Sequence, residues 1–261
     1  MQGDLGTALL LTTGAGLATT VGSFLGLAVK RPGRRLLGVT LGFSAGVMIL
    51  VSFVGLLQNA ITSLEDANGH LGFLYAHLAF VGGILVFFAL DLTVPHDYEQ
   101  DHHAHAKGVH EGRLERTGLL TALGIALHNF PEGMITFIST LHDVRLGVVL
   151  AVAIALHNIP EGLAISAPVY AATGSRGKAF LWSFLSGVAE PVGALLAALV
   201  LMPFMTQGVM GVTLAAVAGV MVAISLDELI PAAKALDDGH LPILGVTFGM
   251  LVMAVSLWLL H

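Results

Sequence analysis

The chain has no cysteine. That absence excludes disulfides, thiolate metal sites and cysteine nucleophiles. Charge is nearly as scarce. Asp, Glu, Lys and Arg make up 11% of the 261 residues, against roughly 25% in ordinary soluble domains. So few charges cannot coat a water-facing surface. A soluble globular enzyme, a nucleic-acid-binding domain and a disordered chain are all excluded. No basic residue precedes Lys30, so the first apolar stretch lacks the basic leader of a cleavable secretory signal. It is expected to remain as a membrane span. The net charge of −6 says less than the position of each charge.

What is present is apolar: 56% hydrophobic residues and a mean hydropathy of +0.87. The expected fold class is all-α, a polytopic membrane protein. A spanning helix needs about 20 apolar residues. Breaks at charges and turn formers delimit eight: 5–29, 36–59, 72–93, 117–140, 145–171, 178–202, 208–233 and 241–260. Abundant Gly and Ala within them allow close helix approach. Lys30, Arg31, Arg34 and Arg35 follow the first span, Lys107, Arg113 and Arg116 the third, Arg176 and Lys178 the fifth, and Lys234 the seventh. Ten of the eleven basic residues therefore sit in odd-numbered loops, and only Arg145 lies opposite. The positive-inside rule makes those loops cytoplasmic and puts both termini outside. The expected location is the cell (inner) membrane of a bacterium.

The longest loop, 94–116, holds His96, His102, His103, His105 and His110 among Asp97, Glu99 and Asp101. It reads either as a solvated linker or as a weak metal-binding or metal-sensing tract.

Two repeats stand out. His128-Asn129-Phe130-Pro131-Glu132-Gly133 recurs as His157-Asn158-Ile159-Pro160-Glu161-Gly162, 29 residues on, in the middle of spans four and five. A fainter one relates Gly46–Ser52 in span two to Gly219–Ser225 in span seven, 173 residues on. Those two spans run in opposite directions. Each is the middle of a group of three, which suggests inverted three-helix bundles flanking spans four and five, a common transporter plan.

The first repeat carries chemistry. On a helix, His and Glu at i and i+4, and Asn and Glu at i and i+3, share one face. Two antiparallel copies offer two imidazoles and two carboxylates, which suit a four-ligand divalent cation. The carboxylates shared with the two Asn oxygens suit a second ion beside it. Pro131 and Pro160 deprive the Leu127 and Leu156 carbonyls of their helical partners and are expected to kink their helices. Glu190, followed by Pro191, puts a third acid at mid-span. A charge there costs about 2.5–3.5 kcal/mol on insertion scales, and no Lys or Arg lies mid-span to offset it. Protonation or a bound cation must do so. Imidazole and carboxylate without sulfur disfavour Cu(I) and leave zinc, iron, manganese and cobalt open.

Other polar residues have two readings each. Asp227 and Glu228, near Pro231, read as a cation exit station or as snorkelling interfacial charges. Asp91 reads as interfacial and His77 as a satisfied packing residue. Ser44 and Ser52 either hydrate a path or back-bond to their own helix. An intramembrane metallohydrolase is disfavoured because there is no HExxH and the ligand set is duplicated.

The paired HNFPEG and HNIPEG copies, Glu190-Pro191, the DELIP stretch at 227–231 and the His-containing loop resemble the ZIP (Zrt/Irt-like) metal-ion transporters, especially their bacterial members. The likeness covers essentially the whole chain. It implies an eight-helix 3+2+3 fold with both termini outside. It also implies a transporter rather than an enzyme, without a catalytic cofactor. The implied cargo is a divalent transition metal moving inward, chiefly zinc, with iron, manganese, cobalt or cadmium. Carried over by motif, one ion would be held by His128, Glu132, His157 and Glu161. The other would be held by Asn129, Glu132, Asn158, Glu161 and Glu190. The implied partners are the lipid bilayer and, by analogy alone, a second copy in a homodimer. One stretch departs from the pattern. Relatives carry an acid and a proline late in span two, where this chain reads Val54-Gly55-Leu56-Leu57-Gln58-Asn59.

Overall fold

The computed structural model describes residues 3–28, 33–92, 126 and 129–260. The loop at 94–116 and His128 lie outside them. Every regular element among the described residues is a helix. They are α1 (Leu5–Ala28), α2 (Arg34–Asn68), α3 (Leu71–Asp91), α4 (129–142), α5 (Val144–Thr173), α6 (Arg176–Phe204), α7 (Gln207–Leu236) and α8 (Leu241–Leu260). Seven of them are long and apolar enough to cross a membrane. The eighth, α4, is described only from 129 onward.

Local chemistry sets the boundaries. Asp4 opens α1, its carboxylate accepting from the Thr7 N–H at 2.9 Å and the Thr7 hydroxyl at 2.8 Å. Asp143 alone separates α4 from α5, and its side chain accepts from Arg145 N–H and Leu146 N–H. Ser175 and Thr206 cap α6 and α7 through the N–H groups of Lys178 and Val209. These oxygens satisfy donors that a first helical turn leaves open. α5 ends at Gly174, where φ is +61°, a left-handed turn that glycine makes without strain.

One feature differs from the sequence reading. The second helix does not stop near residue 59 but continues to Asn68. Its extension is amphipathic, burying Leu57, Ala60, Ser63 and Leu64. Of the polar pair at the expected end, Gln58 is exposed, and Asn59 is half-buried and donates to the Gly55 carbonyl at 2.8 Å. α4 and α5 keep helical structure through Pro131 and Pro160. Breaks in regularity occur elsewhere, as π turns at Val51–Leu56 in α2, Ala197–Leu201 in α6 and Ser225–Leu229 in α7. Ser52 and Ser225 donate to the Met48 and Met221 carbonyls, both at 2.7 Å. A hydroxyl on the i−4 carbonyl competes with the helical ladder and favours such a widening.

Several packing partners are distant along the chain. α1 lies against α5 and α6, whereas α2 pairs with α8 and α3 with α7. The far half of α2 also packs on α3 and α7, and its near half meets α5. Glycines let these backbones touch. A Cβ on Gly46 would strike the Val246 carbonyl, and one on Gly219 the Phe80 carbonyl. The polarity of the assembly suits lipid. Leu10 (72% exposed), Phe24 (69%) and Trp258 (76%) point outward, while Thr12, Thr19, Ser44, Ser183 and the candidate ligands among the described residues are buried.

Candidate metal centre

α4 and α5 turn back on each other through Asp143, which brings the two copies of the repeated motif together. Asn129, Glu132, His157, Asn158, Glu161 and Glu190 are all fully buried. His157 Nε2 and Glu132 Oε2 lie 3.1 Å apart, linking the two copies directly. The sixth helix enters at Glu190, whose Oε1 accepts from the Asn158 amide. This packing is tight enough that a Cβ on Gly133 would strike the Glu190 carbonyl.

Both asparagines are held the same way. Asn158 Nδ2 donates to the Ala15 carbonyl of α1 at 2.9 Å, and Asn129 Nδ2 donates to the Ser186 carbonyl of α6 at 3.2 Å. With the amide nitrogen fixed on a neighbouring helix, each Oδ1 points away from that bond. Asn129 Oδ1, Asn158 Oδ1, Glu132 Oε1 and Glu190 Oε2 are buried without a hydrogen-bond donor among the described residues. Buried polar oxygens are almost always satisfied in proteins. Four unsatisfied on three packed helices, two of them carboxylate, are the donor chemistry of a hard or borderline cation.

The electrostatics agree. The buried ionisable side chains among the described residues are Glu132, His157, Glu161 and Glu190, with no Lys or Arg. Among the described residues no three His, Asp or Glu side chains are drawn close enough to hold a single ion. Glu132 contacts His157, Glu190 contacts Asn158, and Glu161 contacts Ser44 of α2 (3.1 Å).

The structure thus buries six of the seven residues singled out by sequence on three packed helices, with direct contacts from Glu132 to His157 and from Asn158 to Glu190. The seventh, His128, lies outside the described residues. The weaker candidates lie apart. Asp227 and Glu228 sit on the π turn of α7, Asp227 exposed and Glu228 half-buried. His77 is half-buried, its Nδ1 2.7 Å from the Phe73 carbonyl and its ring 4.2 Å from the Phe73 ring. Ser52 bonds within its own helix. The Ala15 and Ser186 carbonyls have no sequence signal, because every residue carries one. The bond from Ser44 to Glu161 had only the bare presence of a serine in α2 to announce it.

Comparison with known proteins gives a consistent result. The family model described as ZIP Zinc transporter matches residues 6–116 and 95–257. The chain is similar to "Zinc transporter ZupT" of Chlorobium phaeovibrioides, 53% identical over 98% of this chain and 99% of the relative. It is also similar to the protein of that name from Streptococcus mutans, at 49% identity over 99% of each chain. A further relative of that name, from Shigella flexneri, is 45% identical over 97% of this chain and 96% of its own length.

Proposed function

The chain belongs to the ZIP zinc transporter family, a family of transporters and not of enzymes, and we propose that it carries zinc into the cytoplasm through a binuclear site between α4, α5 and α6. His128, Glu132, His157 and Glu161 hold one ion, and Asn129, Glu132, Asn158, Glu161 and Glu190 the other. Glu132 and Glu161 bridge the two. Iron, manganese, cobalt and cadmium share the pathway, because imidazole, amide and carboxylate ligands do not separate borderline divalent cations by affinity alone. The observation that carries this reading is the set of four buried, donor-less oxygens on Asn129, Glu132, Asn158 and Glu190. A cation supplies what they lack, and no buried Lys or Arg among the described residues does so in its place.

In the same proposal the protein sits in the bacterial cell membrane with both termini outside and assembles as a homodimer. The eight helices form a 3+2+3 inverted repeat. Support for the repeat comes from features recurring at the 173-residue offset. The π turns of α2 and α7 correspond, as do the bonds of Ser52 and Ser225 to Met48 and Met221. Gly46 and Gly219 make matching backbone contacts with α8 and α3.

The test is zinc flux into liposomes containing the purified protein, with an imposed inward Zn²⁺ gradient and an internal zinc dye. Saturable uptake by the native protein and none by a Glu132→Ala/Glu161→Ala variant is expected. Equal flux through a properly inserted double variant overturns the site, and tight zinc binding without any flux overturns transport in favour of sensing.

A further inference from the structure

Ser44 lies on α2, a helix that contributes none of the candidate ligands. It is fully buried. Its Oγ is 3.1 Å from Glu161 Oε1 and 3.3 Å from the His157 carbonyl. Both are acceptors, so the hydroxyl is the donor to them. A hydrogen bond to a carboxylate is about twice as strong as one between neutral groups. It is not the bond of a hydroxyl back-bonding to its own turn, as Ser52 does. It crosses from the α2, α3, α7 and α8 packing group to the α5 helix.

The relation is one-sided. At the offset that matches α2 to α7, Ser44 corresponds to Val217, a buried side chain with no hydroxyl to give. α2 therefore offers Glu161 a hydroxyl that α7 lacks at the matching position.

We propose that Ser44 is a positioning residue for metal binding, its hydroxyl holding one oxygen of Glu161 so that the carboxylate is presented to the ion in a single orientation. The inference rests on Glu161 being a metal ligand. A glutamate has three side-chain torsions to fix, and a donor supplied by a neighbouring helix fixes them before the ion arrives. Groups behind the ligands commonly act in this way, and their loss costs about 10–100-fold in metal affinity. Alanine at this position leaves the backbone and nearly the same volume, so the effect falls on the carboxylate and not on packing.

The experiment compares native protein, Ser44→Ala, Ser44→Thr and Glu161→Ala in liposomes, with zinc uptake per inserted protein measured against Zn²⁺ concentration. For Ser44→Ala, KM is expected to rise roughly tenfold with the maximal rate little changed, the pattern of lost binding common to ground and transition states. Ser44→Thr keeps the hydroxyl and is expected to restore KM. Zinc calorimetry on the detergent-solubilised proteins is expected to show the same order. A native KM in Ser44→Ala alongside a dead Glu161→Ala overturns the role of Ser44 alone. Equal impairment of the alanine and threonine variants also overturns it, since that pattern marks packing. Should Ser44→Thr fail to insert, the KM of Ser44→Ala decides by itself. Normal uptake by Glu161→Ala overturns the site on which the inference rests.

Discussion

His157 and Glu132 come from different helices and meet at 3.1 Å, both fully buried. Each belongs to one copy of the repeated motif, so the contact joins the two copies. It pairs an imidazole nitrogen with a carboxylate away from the protein surface. A cation entering here has both groups at hand, while the second oxygen of Glu132 has no donor among the described residues.

Glu132→Gln separates the two demands on this residue. The amide keeps the shape but loses the charge. Zinc affinity is expected to fall by more than the roughly 10–100-fold typical of groups behind the ligands. Thermal stability without metal is expected to stay level or rise, because a carboxylate at membrane depth carries an insertion cost of about 2.5–3.5 kcal/mol. Zinc calorimetry and unfolding of the same detergent samples check the two halves.

Gly133→Ala tests the packing behind the site. The added methyl would meet the Glu190 backbone, which cannot swing aside as a side chain can. Overpacking of this kind typically costs about 1–3 kcal/mol. A lower Tm and weakened zinc uptake are expected together. Gly14→Ala is the control, since nothing lies within 4 Å of its added Cβ. Alanine there is expected to leave Tm unchanged or raise it.

The absence of cysteine makes the topology directly measurable. Gln207→Cys and His240→Cys each introduce a single exposed thiol. With both termini outside, a membrane-impermeant maleimide added to intact cells labels the cysteine at 207. The one at 240 is labelled only after the membrane is opened. The reverse pattern overturns the orientation.

Asp4 provides a pH-dependent test away from the metal. The Thr7 backbone N–H and then its hydroxyl hold the carboxylate below its ordinary value near 3.8. A depressed folded-state pKa gives stability that is present at neutral pH and lost as pH falls through that lowered value. Asp4→Asn is therefore expected to lower Tm slightly at neutral pH. The gap from the native protein closes on acidification below about pH 3.8. Zinc uptake at neutral pH is expected to be unaffected.

Much of the centre was legible in the linear chain because helical spacing is itself geometry. His157 and Glu161 are one turn apart, so their shared face follows from 3.6 residues per turn. Scarce charge and long apolar runs required helices, since only internal hydrogen bonding satisfies a backbone in lipid. The end of α2 was not legible. Gln58 and Asn59 are as compatible with an exposed helix face as with a loop, and only the burial of Ala60 and Leu64 settles the matter.

The sequence by itself determined an all-helical membrane protein, the duplicated HNxPEG motif and the third mid-span acid at Glu190. These depend on composition and on residues close enough along the chain for local geometry to relate them. Tertiary structure alone decided that α1 packs with α5 and α6 while α2 and α3 pair with α8 and α7. It decided that Asn158 is pinned by the Ala15 carbonyl and that Ser44 reaches Glu161. Such contacts depend on how whole helices rotate and slide against one another. That is fixed by many small glycine and alanine approaches acting together, and no local pattern of residues encodes it.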